Sequence, residues 1–200
     1  MSLIISVFLT IGIPTINRKQ VGFTYLRSTL QSVVDQTSEE DKSNCVVLVL
    51  LADFSEQFRT TVTEHIQKYY QKYLDSGFIQ LLLISKDAYP PLNGLKRNYN
   101  DAPYRVKWRA KQVVDFAFMF YYGRTLSKYY IQIEDDVICA PNFVSAIRSY
   151  IQQQSKPWVT LEFSELGFIG KLYKSSDLYK LAKFLMLFYE EQPVDWLYRY

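Results

Sequence analysis

The segment that decides the fold is YYIQIEDD, residues 129–136. It reads as an apolar, β-branched strand, Tyr129–Ile133, that ends in the adjacent carboxylates Glu134, Asp135 and Asp136. In open α/β sheets, ligands bind just beyond the carboxyl ends of the strands, which is where this triplet would lie. Carboxylate oxygens favour a hard divalent ion, Mg²⁺ or Mn²⁺, that also holds substrate phosphates. The triplet also fits a solvated turn or an acid-rich helix N-terminus.

Strands and helices alternate on both sides of this segment, which predicts a mostly parallel sheet with helices on both faces. Buried strands are indicated at Leu3–Ile11, Cys45–Ala52, Phe78–Ile84, Tyr129–Ile133, Trp158–Phe163 and Phe168–Tyr173. Helices are indicated at Thr24–Val34, Ser55–Leu74, Arg105–Tyr122, Pro141–Gln154 and Asp177–Tyr189. The stretch Lys86–Tyr104 has no clear period, and an irregular stretch of this length inside a compact domain is often functional.

Size and composition favour one globular domain. The 200 residues suit a single domain, and 48% hydrophobic with 22% charged residues can bury a sizeable core. The formal charge of +3 is too small to argue for a nucleic-acid partner. With only seven glycines, the chain contains no glycine-rich phosphate loop of the P-loop or dinucleotide type.

Cysteine and histidine are scarce, which excludes two kinds of site. His65 is the single histidine and Cys45 and Cys139 are the two cysteines, so a Cys/His zinc site and a histidine-based triad are ruled out. A disulfide between the two cysteines stays open. The start, Met1–Ile13, lacks the basic residues and cleavage site of a signal peptide and is read as a buried strand. No stretch reaches the roughly 20 apolar residues of a membrane span.

Polar residues follow four of the predicted strands, at Thr15–Arg18, Asp53, Glu134–Asp136 and Glu162–Glu165. Because parallel strands end at one edge of a sheet, this convergence favours a site there. A carboxylate such as Glu162 could accept hydrogen bonds from sugar hydroxyls, or it could decorate a turn.

Two more candidates lie on helices. Lys107, Arg109 and Lys111 alternate at the start of a helix, so one or two of them at most can reach a common ligand. They form either a solvated basic face or, through the planar fork of Arg109, a phosphate contact. Asp195 stands beside Trp196 after a hydrophobic helix, where a partly desolvated acid can serve as general base or simply cap a helix.

In order along nearly the whole chain, these motifs resemble the N-acetylglucosaminyltransferase IV family, the alpha-1,3-mannosyl-glycoprotein 4-beta-N-acetylglucosaminyltransferases. Two segments look closest to the C-type member, Leu51–Phe54 and Leu95–Asp101. The motifs that carry the family resemblance are Thr10–Thr15 with Arg18, Arg105–Gln112, Glu134–Asp136, Leu161–Ser164 with Leu166–Lys171, and Pro193–Trp196.

The resemblance implies a GT-A fold that uses UDP-GlcNAc as donor and a divalent cation, usually Mn²⁺ with Mg²⁺ possible. Members add GlcNAc in β1,4 linkage to the α1,3-arm mannose of N-glycans, from the lumenal side of the Golgi membrane. The resemblance also implies that residues 1–200 are a single catalytic domain truncated at both ends relative to the family, without the membrane anchor.

The resemblance also suggests roles for individual residues. The acidic triplet corresponds to the DXD-type motif, with Asp136 contacting the metal and Glu134 and Asp135 binding ribose or water ligands. By looser analogy with related enzymes, Asp195 is the candidate base. The other candidates are donor contacts at Pro14, Thr15, Arg18, Asp53 and Arg109, and a contact to the transferred sugar or the acceptor at Glu162.

Two alternatives belong to other functional classes. A non-catalytic relative that binds and modulates other Golgi glycosyltransferases fits the same fold, although it would not need to keep the acidic residues. A two-metal phosphotransfer or nuclease enzyme is disfavoured, because separated carboxylates from several strands would be expected.

Overall fold

Four parallel strands form the centre of the molecule in the computed structural model, which describes residues 7–18 and 23–199. The described strands join in one sheet of order β3-β2-β1-β4-β6-β5, in which β6 runs antiparallel to β4 and β5 antiparallel to β6. The strands are β1 Val7–Thr15, β2 Cys45–Leu51, β3 Ile79–Leu82, β4 Ser127–Gln132, β5 Thr160–Glu162 and β6 Lys171–Lys174.

Helices cover both faces of this sheet, which confirms the predicted architecture. They are α1 Thr24–Gln36, α2 Glu39–Lys42, α3 Glu56–Asp75, α4 Pro103–Gly123, α5 Phe143–Gln152, α6 Leu178–Leu187 and α7 Val194–Leu197. Side chains alternate across each strand, so Val47 and Val49 pack with α1 and α3 while Leu48 and Leu50 pack with α4 and α6. A strand buried on both faces needs a continuous apolar run, and β2 supplies one.

The first strand differs most from the sequence prediction. Residues 3–6 of the predicted Leu3–Ile11 lie outside the described part of the chain, and β1 continues to Thr15. Pro14 is tolerated because β1 extends beyond the end of β4. The pairing of β1 with β4 ends at Gly12, so Pro14 pairs with β2 alone. This extension carries Thr15 to the edge where β4 ends.

The remaining predicted elements are present with shifted ends. The irregular stretch before α4 contains one 3₁₀ turn, Lys86–Ala88. Pro103 is the first residue of α4, a position that suits proline because the amide there has no partner within the helix. Two short helices, α2 and α7, were not predicted from the sequence. Each has four residues, which is too short to show a helical period in its apolar residues. Among the described residues, no helix has both the length and the hydropathy that crossing a bilayer requires.

Candidate functional site

The acidic triplet lies at the carboxyl edge of the sheet, immediately after β4. Its backbone is tied to β1, since the amide of Ile133 donates to the carbonyl of Gly12 at 3.0 Å. Gln132 is fully buried and its side-chain amide donates to the carbonyls of Gly12 (3.0 Å) and Ile133 (2.8 Å). The Tyr130 hydroxyl donates to the Gln132 side-chain oxygen at 2.7 Å. The start of the triplet is therefore held by a buried hydrogen-bond network.

Asp135 is the buried member of the triplet. Its Oδ2 accepts from the Thr15 hydroxyl at 2.6 Å, and its Oδ1 accepts from Arg18 at 2.6 Å. Burial raises the pKa of Asp135 above its ordinary value, although both donors act to lower it. With each oxygen already bonded within the chain, Asp135 is suited to organising the site rather than to ligating a metal directly.

Glu134 is also largely withdrawn from solvent. Burial raises the pKa of Glu134, and the negative charge of Asp136 adds to the effect. Its Oε1 accepts from the amide of Phe168 at 3.4 Å, which joins the triplet to the turn between β5 and β6. A Cβ on Gly167, in the same turn, would lie 3.1 Å from that oxygen, so the turn approaches the carboxylate closely.

Asp136 is the carboxylate that remains accessible. About a third of its side chain is exposed, at 34%, and its Oδ2 accepts from Arg18 at 3.0 Å. Arg18 thus bridges Asp135 and Asp136 and offsets the repulsion between them. These acids raise the pKa of Arg18, although its partial burial acts in the opposite direction.

A cavity of about 580 Å³ opens beside the triplet, and it brings six of the predicted residues together: Pro14, Arg18, Glu134, Asp135, Asp136 and Asp195. Its other lining residues come mainly from α4, from the β5–β6 turn and from the α7 region. They are Ile16, Ala52, Arg105, Trp108, Lys111, Gln112, Asp115, Phe116, Gly167, Phe168, Pro193, Val194 and Trp196.

Asp195 faces the cavity because of the amphipathic pattern of α7. Val194 and Leu197 are buried in the core beneath this short helix. They lie three residues apart on one face of the helix, which leaves Asp195 and Trp196 as its more exposed residues, and both line the cavity. The candidate base and the acidic triplet therefore line the same cavity.

One stripe of α4 forms a further wall, and sequence reasoning missed most of it. Lys111 donates to both carboxylate oxygens of Asp115 (2.9 and 2.8 Å) and to the Ala52 carbonyl (2.6 Å). The Tyr89 hydroxyl donates to Asp115 at 2.6 Å. Burial raises the pKa of Asp115, against the opposing effect of Lys111. Arg105, Trp108, Gln112 and Asp115 recur at helical spacing, a signal that could have identified this wall.

Four predicted residues do not line the cavity, and two of these support it from behind. Thr15 lies beneath Asp135, as described. Asp53 accepts from the amides of Asn17 (3.1 Å) and Ser55 (2.8 Å), so it connects the segments that follow β1 and β2. Both polar side chains are thus bonded within the chain, and their predicted contacts with the donor stay predictions.

Arg109 and Glu162 lie elsewhere. Arg109 is 1% exposed, with Nη1 3.4 Å from Asp101 Oδ2 and its guanidinium 5.6 Å from the Tyr99 ring centre. To contact a ligand in the cavity it would have to leave these partners. Glu162 accepts from the buried Lys171 at 2.6 Å, which braces β5 against β6. Neither residue lines the cavity, and the predicted contacts of Arg109 with the donor and of Glu162 with the transferred sugar or the acceptor stay predictions.

The three basic residues at the start of α4 separate, as their spacing predicted. Lys111 lines the cavity, Arg109 is buried against Asp101, and Lys107 donates to Asn93 at 3.0 Å. The two cysteines, Cys45 and Cys139, are both free thiols.

The donor set fits a divalent ion that is completed by a substrate. Among residues 7–18 and 23–199, no group of three His, Cys, Asp and Glu side chains is arranged to hold a metal alone. Asp136 nevertheless offers an accessible carboxylate at the cavity wall. Mg²⁺ typically binds through one or two carboxylates together with substrate phosphates. The arrangement is therefore compatible with a metal held jointly by Asp136 and a diphosphate.

The MGAT4 conserved region matches residues 4–199 of this chain. The chain belongs to the N-acetylglucosaminyltransferase IV family. It is 47% identical over 191 residues to an alpha-1,3-mannosyl-glycoprotein 4-beta-N-acetylglucosaminyltransferase C of Danio rerio, covering 95% of the chain and 42% of that relative. An alpha-1,6-mannosyl-glycoprotein 4-beta-N-acetylglucosaminyltransferase of Gallus gallus is 48% identical, with 95% and 41% covered.

The resemblance seen in the motifs is thus confirmed, including the greater similarity to the C type. The C-type relative of Danio rerio is 47% identical to this chain, whereas the B-type relative of Homo sapiens is 37% identical. The chain spans about two fifths of the length of the relatives of type C that it matches. Mouse xyloside xylosyltransferase 1 in its apo form shares the fold, with a TM-score of 0.53 over 98% of this chain and 74% of that one at 10% identity. The expected GT-A-type fold is confirmed.

Proposed function

We propose that the chain forms a catalytic domain that moves GlcNAc from UDP-GlcNAc to the α1,3-arm mannose of an N-glycan in β1,4 linkage, with a divalent cation, Mn²⁺ before Mg²⁺. One observation carries the proposal: an accessible carboxylate, Asp136, and a second acid, Asp195, line one cavity in a member of this family. Two relatives carry names that specify 4-beta-N-acetylglucosaminyl transfer. The Golgi lumen, where N-glycans are branched, is the proposed location.

Each residue then has a defined task. Asp136 would hold the metal, which when bound neutralises charge on the departing UDP. Arg18 and Thr15 keep Asp135 in place behind it. Asp195 takes the proton from the mannose hydroxyl as that oxygen attacks the anomeric carbon. Since the donor linkage is α and the product β, a single displacement with inversion suffices.

Titration calorimetry tests the donor site. UDP-GlcNAc should bind in Mn²⁺ and bind much more weakly in EDTA, and Asp136→Ala should abolish the difference. Asp87→Ala, which removes an exposed acid outside the cavity, is the matched control and should bind like the wild type. Equal affinity with and without metal in the wild type would refute the metal role.

A transfer assay then distinguishes an enzyme from a modulator of other transferases. We expect GlcNAc on the α1,3 arm of a biantennary glycan, located by linkage analysis, and no turnover by Asp195→Asn, which should still bind UDP-GlcNAc. Product on the α1,6 arm, the arm in the name of the Gallus gallus relative, would change the proposed acceptor arm and leave the proposed GlcNAc transfer unchanged. Donor binding without any transfer would favour the modulator.

A further inference from the structure

Two half-exposed tryptophans line the cavity that Asp195 also lines. Trp108 on α4 is 51% exposed and Trp196 on α7 is 48% exposed, and both line the cavity. The third tryptophan, Trp158, instead stacks on Tyr129 with ring centres 6.1 Å apart and lies outside the lining. Large aromatic surfaces are usually buried because their exposure to water is unfavourable. Two of them in the cavity that holds the candidate base call for an explanation.

Trp196 is held in place by a built support. Tyr99 meets it edge-on, with ring centres 5.6 Å apart and planes at 84°. The backbone of Tyr99 has φ +60°, an unusual conformation for a bulky residue. Arg109 stabilises it from beneath, with its guanidinium 5.6 Å from the ring centre. The Tyr99 ring thus lies in contact with both the buried Arg109 and the Trp196 indole.

The support extends through a set of polar contacts between two loops. The Lys96 amide donates to Glu190 at 2.9 Å, and its ammonium group lies 3.0 Å from Glu191. The Asn98 side chain donates to the Glu191 carboxylate at 2.8 Å. These contacts fasten residues 96–101 to the segment that leads into α7. The irregular stretch before α4 therefore has a structural task at the cavity.

The lining of the cavity includes two kinds of group. Arg18 and the acidic triplet suit a metal and a diphosphate. Trp108 and Trp196 add two aromatic surfaces, and Arg105 and Asp195 are charged members of the same lining. A hexose presents an apolar face of C–H groups and a rim of hydroxyls, which match an aromatic surface and neighbouring polar side chains.

We propose that Trp108 and Trp196 form the acceptor subsite, against which a neutral saccharide packs so that one hydroxyl reaches Asp195. This inference rests on the proposed function and assigns the acceptor side of the same cavity. In this inference Arg109 and Tyr99 are positioning residues for the Trp196 indole.

Kinetics test the subsite through the acceptor. Trp196→Ala and Trp108→Ala should each raise KM for a biantennary glycan about tenfold, the loss expected for one aromatic contact. The Kd for UDP in Mn²⁺ should stay within about twofold, which also reports that the variants are folded. The Trp→Phe variants should recover part of the affinity. Tyr179→Ala, an equally exposed aromatic at 44% outside the cavity, is the control and should leave KM unchanged.

Fluorescence gives a readout that does not require turnover. In Trp158→Phe, which keeps only the two cavity indoles, a trimannosyl oligosaccharide added with UDP and Mn²⁺ should change the emission. The variant Trp108→Phe/Trp196→Phe should show no change. If UDP binds but neither KM nor emission responds, the subsite is refuted and the donor site stands. If UDP fails to bind even to the wild type, the proposed function itself fails.

Discussion

At the residue scale, Thr15 determines how Asp135 is held. The hydroxyl is buried at the end of β1 and donates to Asp135 at 2.6 Å, so it stabilises a carboxylate that has lost most of its water. Arg18 supplies a second donor to Asp135 and also pairs with Asp136. The charge of the triplet is thus compensated by groups next to β1 in sequence. A divalent ion at Asp136 would share that carboxylate with Arg18.

Thr15→Val keeps the shape of the side chain and removes this donor. We expect a loss of about 1–3 kcal/mol in the free energy of unfolding, because one oxygen of a buried carboxylate loses its partner. Urea unfolding followed by circular dichroism measures it. Thr61→Val, on the exposed face of α3, is the control and should change stability much less. An unchanged unfolding midpoint for Thr15→Val would show that water replaces the hydroxyl without cost.

At the element scale, one ion pair joins α2 to α5 on the side of the sheet away from α4. Asp41 accepts from Arg148 at 2.7 Å, from Ser38 at 2.9 Å and from Ser145 at 3.2 Å. Burial acts to raise the pKa of Asp41, but the three donors outweigh it and the net pKa lies below the ordinary value. This packing fixes a helix too short to be stable alone.

The lowered pKa makes this contact acid-sensitive. A carboxyl group whose pKa is depressed on folding stabilises the protein above its unfolded pKa of about 3.9, and the stabilisation is lost as the pH falls through the folded value. Asp41→Asn should therefore destabilise the chain by about 1–3 kcal/mol at pH 7, and this difference should shrink as the pH falls below the unfolded pKa of about 3.9.

Urea unfolding of wild type and variant at several pH values measures the difference. Glu40→Gln, which removes an exposed acid on the same helix, is the control and should change stability much less at pH 7. A constant difference between Asp41→Asn and wild type at all pH values would contradict the ionic origin of the effect.

At the scale of the whole molecule, the spacing between the sheet and α4 depends on Tyr130. Its ring is fully buried, with Phe120 of α4 edge-on at 5.3 Å between ring centres. Gly12 of β1 and Gly123 at the end of α4 leave room for it. A Cβ on Gly123 would lie 2.8 Å from a ring carbon, and one on Gly12 would collide with the Tyr130 hydroxyl.

Gly12→Ala and Gly123→Ala should each destabilise the chain by about 1–3 kcal/mol, because a well-packed core does not accept an added methyl without strain. Both substitutions crowd the same ring, Tyr130. The double variant should therefore lose less free energy of unfolding than the sum of the losses of the two single variants. A complete cycle of thermal or urea unfolding measures the coupling. Strict additivity would show that the two positions strain different parts of the core.

The sequence determined those features that depend on local patterns. The apolar run of β2, the strand that ends in the acidic triplet and the period of α3 each reflect a single segment, and the ordered motifs identified the family. The fold, with helices on both faces, followed from the alternation of these segments. Such patterns need no knowledge of distant contacts, because burial imposes them residue by residue along the chain.

Tertiary structure alone decided which candidates meet. Arg109 looked like a phosphate contact in sequence, yet α4 turns it onto Asp101 and Tyr99, while Lys111 two residues later reaches the cavity. Trp108 and Trp196, 88 positions apart in the printed sequence, line one cavity only because α4 and α7 pack against the same face of the sheet. Side-chain direction depends on how each helix is rotated in the core, and long-range packing fixes that rotation.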